Sequence, residues 1–175
     1  MDIETIKDNI DTERIYTELQ TFVVNEDQFK DQMEDPHLSL QICLQGTDAE
    51  MDPYFGSRNL QYLIDEGIEE KDFNVFLFPE LDYTNAIIED LELVRTRVMI
   101  LKPKTCLSYH VDPRKRIHIP IDTNENCFLM IDQYAHHLFA NGSAYLCDTT
   151  KPHTPINASL DSNRMHLVGI NQQMS

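Results

Sequence analysis

The chain has few basic residues and no long apolar segment, and each absence excludes a class of partner. Only 14 of its 175 residues are Lys or Arg, against 30 Asp or Glu, so the formal net charge is −16. No long basic face is therefore available to bind nucleic acid. No apolar run approaches the ~20 residues of a transmembrane helix, so we expect no membrane span. The length suits one compact domain.

Paired cysteines are also absent, which favours a cytoplasmic protein. The four cysteines form no CxxC pair, and each has apolar neighbours in the sequence: Cys43, Cys106, Cys127 and Cys147. We expect all four to be reduced residues of the core. The first residues, MDIETIKDNIDTERI, are polar and acidic, unlike a secretory signal.

Charge divides the chain into two regions. Residues 1–92 hold 24 acidic and 5 basic groups, whereas residues 93–175 hold 6 acidic and 9 basic groups. An anionic small molecule is therefore more easily held by the second region than by the first. The acidic excess of residues 1–92 is typical of a solvated surface.

The first region shows interrupted helical patterns. Apolar residues spaced from Ile6 to Phe22 predict one helix, and the segment 82–93 predicts another. Alternation over residues 38–44 predicts a strand, and the aperiodic segment 46–56 predicts a loop. We expect this acidic, partly helical region to pack on the rest of the chain and to help shape the substrate mouth.

The second region consists of short strands separated by turns. The predicted strands cover residues 94–101, 105–112, 116–121, 127–132, 136–140, 143–148 and 164–170. This spacing predicts an antiparallel sandwich or barrel, and jelly rolls of the cupin type have about eight such strands in two sheets. We therefore predict a mainly β fold with N-terminal helices, in which residues 93–175 form a double-stranded β-helix.

A candidate metal site lies in the segment YHVDPRKRIHIP. His110 and Asp112 are two residues apart on a predicted strand, so their side chains project from the same face. A third ligand must come from elsewhere, and His153 is the strongest candidate because it opens a late strand just after a turn. Two histidines and one carboxylate suit non-haem Fe(II) with open positions.

The other four histidines are expected to have structural roles. We expect His37 at the surface and His166 in a strand with a hydrogen bond. His136 and His137 are adjacent, so they should point to opposite faces of a strand, where one can be buried.

Three further basic side chains suggest an anion pocket beside the metal. Arg164 follows His153 by eleven residues and opens the last predicted strand, so a dicarboxylate could chelate the metal and reach its guanidinium. Arg116 and His118 alternate on one strand and face the same way. Arg164 could instead form a surface salt bridge. Arg116 could form an ion pair with an acidic residue of the first region.

These motifs, in this order, resemble the aspartyl/asparaginyl β-hydroxylase family of 2-oxoglutarate oxygenases, which includes proline hydroxylases. The ordered pieces are LKPK, HVD, RIHIP, CDTTKPH and Arg164, and the resemblance covers residues 93–170. Lys104 stands where the family has glycine, which affects only the geometry of a turn. Asp112 supplies a carboxylate ligand that the animal enzymes lack, as in the bacterial amino-acid hydroxylases.

The resemblance implies a role for each matching residue. His110, Asp112 and His153 would bind Fe(II), and Arg164 would bind the distal carboxylate of 2-oxoglutarate with help from His118. Arg116 would lie near the metal-proximal end of the same cosubstrate. The implied reaction uses dioxygen to hydroxylate an amino acid or an amino-acid residue of a peptide, with succinate and carbon dioxide as co-products.

The substrate stays open at this stage, as do two rival functions. Arg114 and Lys115 either hold the carboxylate of a free amino acid such as proline, or are solvated. A non-redox cupin-type metal enzyme or small-molecule sensor would use the same ligands without the dicarboxylate pocket. A barrel that has lost catalysis would use the acidic region to dock a partner.

Overall fold

The computed structural model describes residues 1–27, 29, 34, 39–54 and 65–174. The described elements are β1 (Ile3–Lys7), α1 (Thr12–Phe22), β2 (Leu40–Cys43), β3 (Gln45–Gly46), a 3-10 helix (Glu70–Asp72), β4 (Val75–Phe76), α2 (Asp82–Asp90), β5 (Leu93–Leu101), β6 (Thr105–Cys106), β7 (Arg116–Asp122), β8 (Cys127–Ile131), β9 (Tyr134–His136), β10 (Ala144–Cys147), β11 (His153–Asn157) and β12 (Arg164–Asn171). No described helix is long and apolar enough to cross a membrane.

Two antiparallel sheets face each other and confirm the predicted double-stranded β-helix. The larger sheet has the strand order β1-β10-β7-β12-β5-β2, and the smaller has the order β6-β11-β8-β9. The eight strands after residue 92 divide equally between the two sheets. The strand pair β3-β4 forms a separate ribbon.

The central strands of the larger sheet are buried on both faces. On β7, Ile117 and Ile119 enter the main hydrophobic core, whereas Arg116 and His118 line a cavity on the opposite face. This division follows the two-residue period of a strand. The apolar face of β7 therefore packs in the core, and its polar face lines the cavity.

Residues from the first region contribute to that core and to the larger sheet. Helix α1 packs against β7 and α2, with Ile15 and Leu19 fully buried. Strand β1 pairs with β10, and β2 pairs with β5. The carboxylate of Glu18 on α1 accepts hydrogen bonds from the backbone N–H groups of Tyr83 and Thr84, at the first turn of α2. These bonds satisfy two of the free N–H groups of the α2 N-terminus.

Several predicted boundaries in the first region are wrong in detail. The helix predicted from Ile6 to Phe22 is confirmed only from Thr12, because Ile6 and Lys7 belong to β1, which pairs with β10. Helix α2 ends at Asp90, since the backbone enters β5 at Leu93. The predicted strand 38–44 is confirmed over residues 40–43. The predicted loop begins within β3, and its last two residues lie outside the described part of the chain.

Corrections also apply to the second region. The predicted strand 105–112 is regular only at Thr105–Cys106, and the predicted strand 136–140 is replaced by Tyr134–His136. Cys106 is exposed, so the prediction that all four cysteines lie in the core is wrong for it. The other three are buried and unpaired. Lys104 has a φ of 59°, a left-handed conformation that favours glycine.

Candidate metal centre and anion pocket

His110, Asp112 and His153 come together as the sequence predicts. Their candidate ligand atoms all lie within 4.8 Å of one another, and His153 Nε2 lies 3.8 Å from Asp112 Oδ2. His153 opens β11, whereas His110 lies in the irregular segment after β6. Two backbone hydrogen bonds join them, from His110 N–H to the His153 carbonyl (3.1 Å) and in reverse (2.9 Å). This isolated bridge replaces the predicted strand in fixing their spacing.

The hydrogen bonds of both imidazoles leave the same nitrogen available. His110 Nδ1 lies 2.8 Å from the carbonyl oxygen of Ser108, and His153 Nδ1 lies 3.0 Å from that of Lys151. A carbonyl oxygen only accepts, so each Nδ1 carries the proton and each Nε2 keeps its lone pair. Ligand histidines commonly show this arrangement. The donor set therefore fits an Fe(II) ion.

A chain of buried charges holds the carboxylate ligand. Arg116 Nε donates to Asp112 Oδ2 at 2.8 Å, and Arg116 Nη1 lies 2.8 Å from Glu70 Oε1. Arg95 forms an ion pair with the same Glu70 oxygen. Burial acts to raise the pKa of Asp112, but the hydrogen bond and charge of Arg116 outweigh it and lower that pKa. Asp112 is therefore kept ionised, as a metal ligand must be.

Arg164 is buried without a carboxylate partner among the described residues. Its side chain lines the cavity that contains the histidines, and its Nη2 lies 3.1 Å from His166 Nδ1. Burial lowers the pKa of Arg164 to about 10. A buried guanidinium without a counter-ion is costly, so the cavity fits an anion at this point. The surface salt bridge considered from the sequence is not formed by Arg164 within the described part of the chain.

His118 and His166 both lie next to Arg164. His166 is on the same strand as Arg164, β12, and His118 is on the neighbouring strand β7. Their Nδ1 atoms are 3.4 Å apart, and both side chains are buried. Burial and the charge of Arg164 lower the pKa of each imidazole well below its ordinary value. Both histidines are therefore neutral near pH 7. The predicted hydrogen bond of His166 is present, with Arg164 as its partner.

All six candidate residues line one cavity of about 90 Å³ between the two sheets. They are His110, Asp112, Arg116, His118, His153 and Arg164. A larger cavity of about 440 Å³ is lined by Pro113, Arg114 and Glu70 among others, and contains none of the three candidate metal ligands. The chemistry therefore lies in the smaller cavity.

The expectation that His136 and His137 lie on opposite faces of a strand, with one of them buried, is wrong. His136 ends β9 and is half-buried, with its Nε2 3.6 Å from Asp2, whereas His137 lies beyond β9, exposed and stacked on Phe139. His37 lies outside the described residues.

Sequence reasoning missed several residues around the cavity. Glu70 belongs to a one-turn 3-10 helix, whose sequence has no period that marks it. Arg97 and Gln41 line the cavity from β5 and β2. Arg97 had one available signal: on a strand it faces the opposite side from its apolar neighbour Val98, which enters the hydrophobic core.

Comparison with solved structures supports the fold. The structure resembles the viral collagen prolyl hydroxylase vCPH from Paramecium Bursaria Chlorella virus-1, solved as a 2OG complex, with a TM-score of 0.51 and 8% identity over 97% of this chain and 94% of that one. It also resembles AviO1 from Streptomyces viridochromogenes Tue57, with a TM-score of 0.53 and 10% identity over 99% and 91% of the two chains. At these identities the likeness establishes the fold. No curated protein matches significantly in sequence.

The sequence itself identifies the family. Residues 59–169 match the family described as Aspartyl/Asparaginyl beta-hydroxylase, a span that includes all six candidate site residues. Members of this family are hydroxylases that use Fe(II) and 2-oxoglutarate, for which the His-Asp-His cluster and the buried Arg164 supply suitable groups. The chain belongs to the aspartyl/asparaginyl β-hydroxylase family of Fe(II)- and 2-oxoglutarate-dependent hydroxylases.

Proposed function

We propose that the protein hydroxylates an amino acid or an amino-acid residue of a peptide, with His110, Asp112 and His153 as the Fe(II) ligands and Arg164 as the anchor of 2-oxoglutarate. One observation carries the proposal: the three ligand side chains and an arginine without a carboxylate partner among the described residues line a single cavity. Fe(II) and 2-oxoglutarate, when bound, supply the oxidative activation of dioxygen that hydroxylation needs.

The residues around the ligands determine how the site is held. The carbonyl groups of Ser108 and Lys151 fix the two imidazoles with Nε2 towards the cavity. Arg116 orients the Asp112 carboxylate, and its ion pair with Glu70 leaves it less available to the cosubstrate than the family resemblance implies. Arg116 is thus a positioning residue.

Arg164 and His118 form the part of the cavity that we assign to the cosubstrate. The Arg164 guanidinium presents a planar fork that matches a carboxylate in two hydrogen bonds. His166 accepts from Arg164 Nη2 and thereby fixes the direction of the fork. The walls around it exclude water, since Leu129, Pro155 and Val168 also line the cavity. Charge interactions there are stronger than in bulk water.

The test is aerobic turnover with Fe(II), 2-oxoglutarate and a panel of free amino acids and short peptides. We expect succinate to form together with a product that is heavier by one oxygen atom. His153→Ala should abolish both, whereas His137→Ala should not, because His137 is exposed and lies outside the cavity. Full turnover by a folded His153→Ala variant would contradict the assignment of the ligands.

A further inference from the structure

The smaller sheet has one face towards the metal cavity and an apolar face on its other side. Leu129 on β8 and Pro155 on β11 pair with each other, and both line the cavity. Their neighbours along the two strands, Phe128, Met130 and Ile156, therefore project from the opposite side of the sheet. All three are only half-buried. This side of the sheet thus presents apolar side chains to its surroundings.

The two edge strands extend the same surface. Cys106 on β6 pairs with Ile156, and Ala135 on β9 pairs with Met130, and both Cys106 and Ala135 are exposed. Laterally paired residues share a face of a sheet. We call the surface formed by Cys106, Ile156, Phe128, Met130 and Ala135 the outer face. The four strands that carry it contain no Asp, Glu, Lys or Arg, although these residues make up 25% of the chain.

A row of three rings continues from the outer face. The ring centroids of Phe128 and His137 are 4.4 Å apart, and His137 stacks on Phe139 at 5.5 Å. The Phe139 side chain is 55% exposed. A contiguous exposed apolar surface of this kind commonly marks a site of protein association. The outer face and the ring row are therefore a candidate interface.

The distribution of charge indicates what can approach this surface. Helix α1 packs against β7 on the side of Ile117 and Ile119, which is the side of the larger sheet away from the cavity. Helix α2 belongs to the same core. The layers are thus the helices, the larger sheet and the smaller sheet, in that order. Both helices come from residues 1–92, which hold 24 acidic and 5 basic groups. The outer face lies on the side of the molecule away from them.

A second copy of the chain fits this arrangement. Two molecules with a formal net charge of −16 repel each other, so they approach most easily through a surface that has no charge and lies away from the acidic helices. A two-fold symmetric contact brings the same patch of both copies together, and an uncharged patch opposes no like charges. The same net charge repels nucleic acid and anionic lipid. We propose that the outer face binds the outer face of a second copy, forming a homodimer.

The size of the surface sets the expected affinity. Four strands spaced by about 4.8 Å, with up to five residues at about 3.4 Å each, cover roughly 330 Å². A standard stable interface buries about 800 Å² on each partner. The ring row adds to the contact but leaves it at the weak end of this scale. The dimer should therefore be reversible, with a Kd on the order of 10–100 µM.

Sedimentation equilibrium over a range of protein concentrations tests the proposal. We expect a reversible monomer–dimer equilibrium that becomes severalfold tighter between about 50 mM and about 500 mM NaCl, because salt screens the repulsion between two acidic molecules. A protein that stays monomeric at concentrations about tenfold above the expected Kd would overturn the proposal. So would a dimer that weakens with salt, since ion pairs would then hold it together.

Two matched pairs of variants locate the interface. Ala135→Glu places a charge on the outer face of each copy and should raise the Kd at least about tenfold, whereas Ala49→Glu adds the same charge at an exposed position of the first region and should change it little. Phe139→Ser should also weaken the dimer, and Phe22→Ser on α1 should not. Far-ultraviolet circular dichroism checks that each variant is folded. Equal effects within either pair would contradict the proposed interface.

The wild-type protein carries its own probe of the outer face. Cys106 is exposed there, whereas Cys43, Cys127 and Cys147 are buried, so a maleimide should label Cys106 first. We expect the labelling rate to fall as the protein concentration passes through the Kd, and to stay constant in Ala135→Glu. A constant rate in a wild-type dimer would place the interface elsewhere. Slow labelling of the monomer would show that another part of the same chain covers the outer face. Either result would overturn the proposal.

Discussion

At the scale of single residues, the site depends on charges that compensate one another away from water. Glu70 Oε1 is shared by Arg95 and Arg116, and Arg116 also binds Asp112. Both arginine side chains are 3% exposed, and that of Glu70 is 10% exposed. Removing one member of such a set leaves buried charge without compensation, which costs far more than losing a surface pair.

Glu70→Gln should therefore destabilise the protein strongly while conserving side-chain volume. We expect a loss of about 3 kcal/mol in the free energy of unfolding, measured by urea titration. Asp90→Asn is the control, since the Asp90–Lys7 pair is largely exposed and should contribute less than about 1 kcal/mol. Equal effects of the two substitutions would show that the buried network is not important for stability.

The buried His166 should make the stability of the folded protein depend on pH. Burial lowers its pKa in the folded state, so the unfolded chain binds a proton near pH 6.5 that the folded chain does not. Stability should then fall as the pH drops below about 6.5, with a slope of about 1.4 kcal/mol per pH unit for each such residue.

The variant His166→Gln keeps an acceptor for Arg164 but does not titrate. Its loss of stability between pH 7 and pH 5, followed by urea unfolding of the metal-free protein, should be less steep than that of the wild type. His118 stays in both proteins, so a part of the dependence should remain. Parallel curves for the two proteins would mean that His166 does not bind a proton on unfolding.

Residue-scale prediction from sequence named the right cluster but gave a partly wrong reason for it. His110, Asp112 and His153 come together as predicted, yet His110 and Asp112 lie outside a regular strand, and the backbone bridge between His110 and His153 aligns them. Glu70 could not be found in this way. It reaches Arg116 only through the tertiary packing of a short 3-10 helix, for which the sequence carries no periodic signal.

At the scale of elements, the turn at Gly142 holds a distant segment of the chain in place. Gly142, between β9 and β10, has a φ of 84°, and its carbonyl accepts a hydrogen bond from Ile10 N–H at 2.9 Å. A Cβ atom at Gly142 would lie 2.8 Å from the Ile10 carbonyl oxygen. This close approach ties the segment between β1 and α1 to the turn.

Gly142→Ala should consequently cost more than the conformational strain alone. Gly67 is the matched control, because it has a φ of 74° but no described heavy atom within 4 Å of the position that a Cβ atom would occupy. We expect Gly67→Ala to cost about 1 kcal/mol and Gly142→Ala at least twice that, by thermal or urea unfolding. A smaller cost at Gly142 would show that the Ile10 contact relaxes freely.

The prediction of helices and strands failed where strand pairing with distant residues overrides the local sequence pattern. Ile6, Ile10 and Ile15 have approximate helical spacing, yet residues 3–7 form a strand because they extend the larger sheet beyond β10. Likewise, most of residues 105–112 leave regular pairing, and a single bridge between His110 and His153 supplies the alignment. Both outcomes depend on partners distant in the sequence, which a local pattern does not contain.

At the scale of the molecule, the acidic first region and the barrel share one hydrophobic core. Ile15 of α1 and Ile119 of β7 belong to the same buried cluster. Two strands of the first region, β1 and β2, form the edges of the larger sheet. The division into residues 1–92 and residues 93–175 thus describes composition and charge, and we predict that the two unfold together.

Ile15→Ala tests this prediction. The side chain is fully buried, so its truncation should cost about 2–5 kcal/mol and shift the whole unfolding transition. Far-ultraviolet circular dichroism and tyrosine absorbance should report the same midpoint. Tyr16→Ala is the control on the same helix, because Tyr16 is exposed and should change stability little. Separate midpoints for the two probes would contradict a shared cooperative unit.

The most direct test of the central claim is an anaerobic titration with Fe(II) and 2-oxoglutarate, followed by the weak visible metal-to-ligand charge-transfer band. We predict the band in the wild type and in His137→Ala, its loss in His153→Ala, and a much higher 2-oxoglutarate requirement in Arg164→Ala. Iron-loaded wild-type protein without the band, or a band unaffected by His153→Ala and Arg164→Ala, would contradict the assignment of this cavity as the Fe(II) and 2-oxoglutarate site.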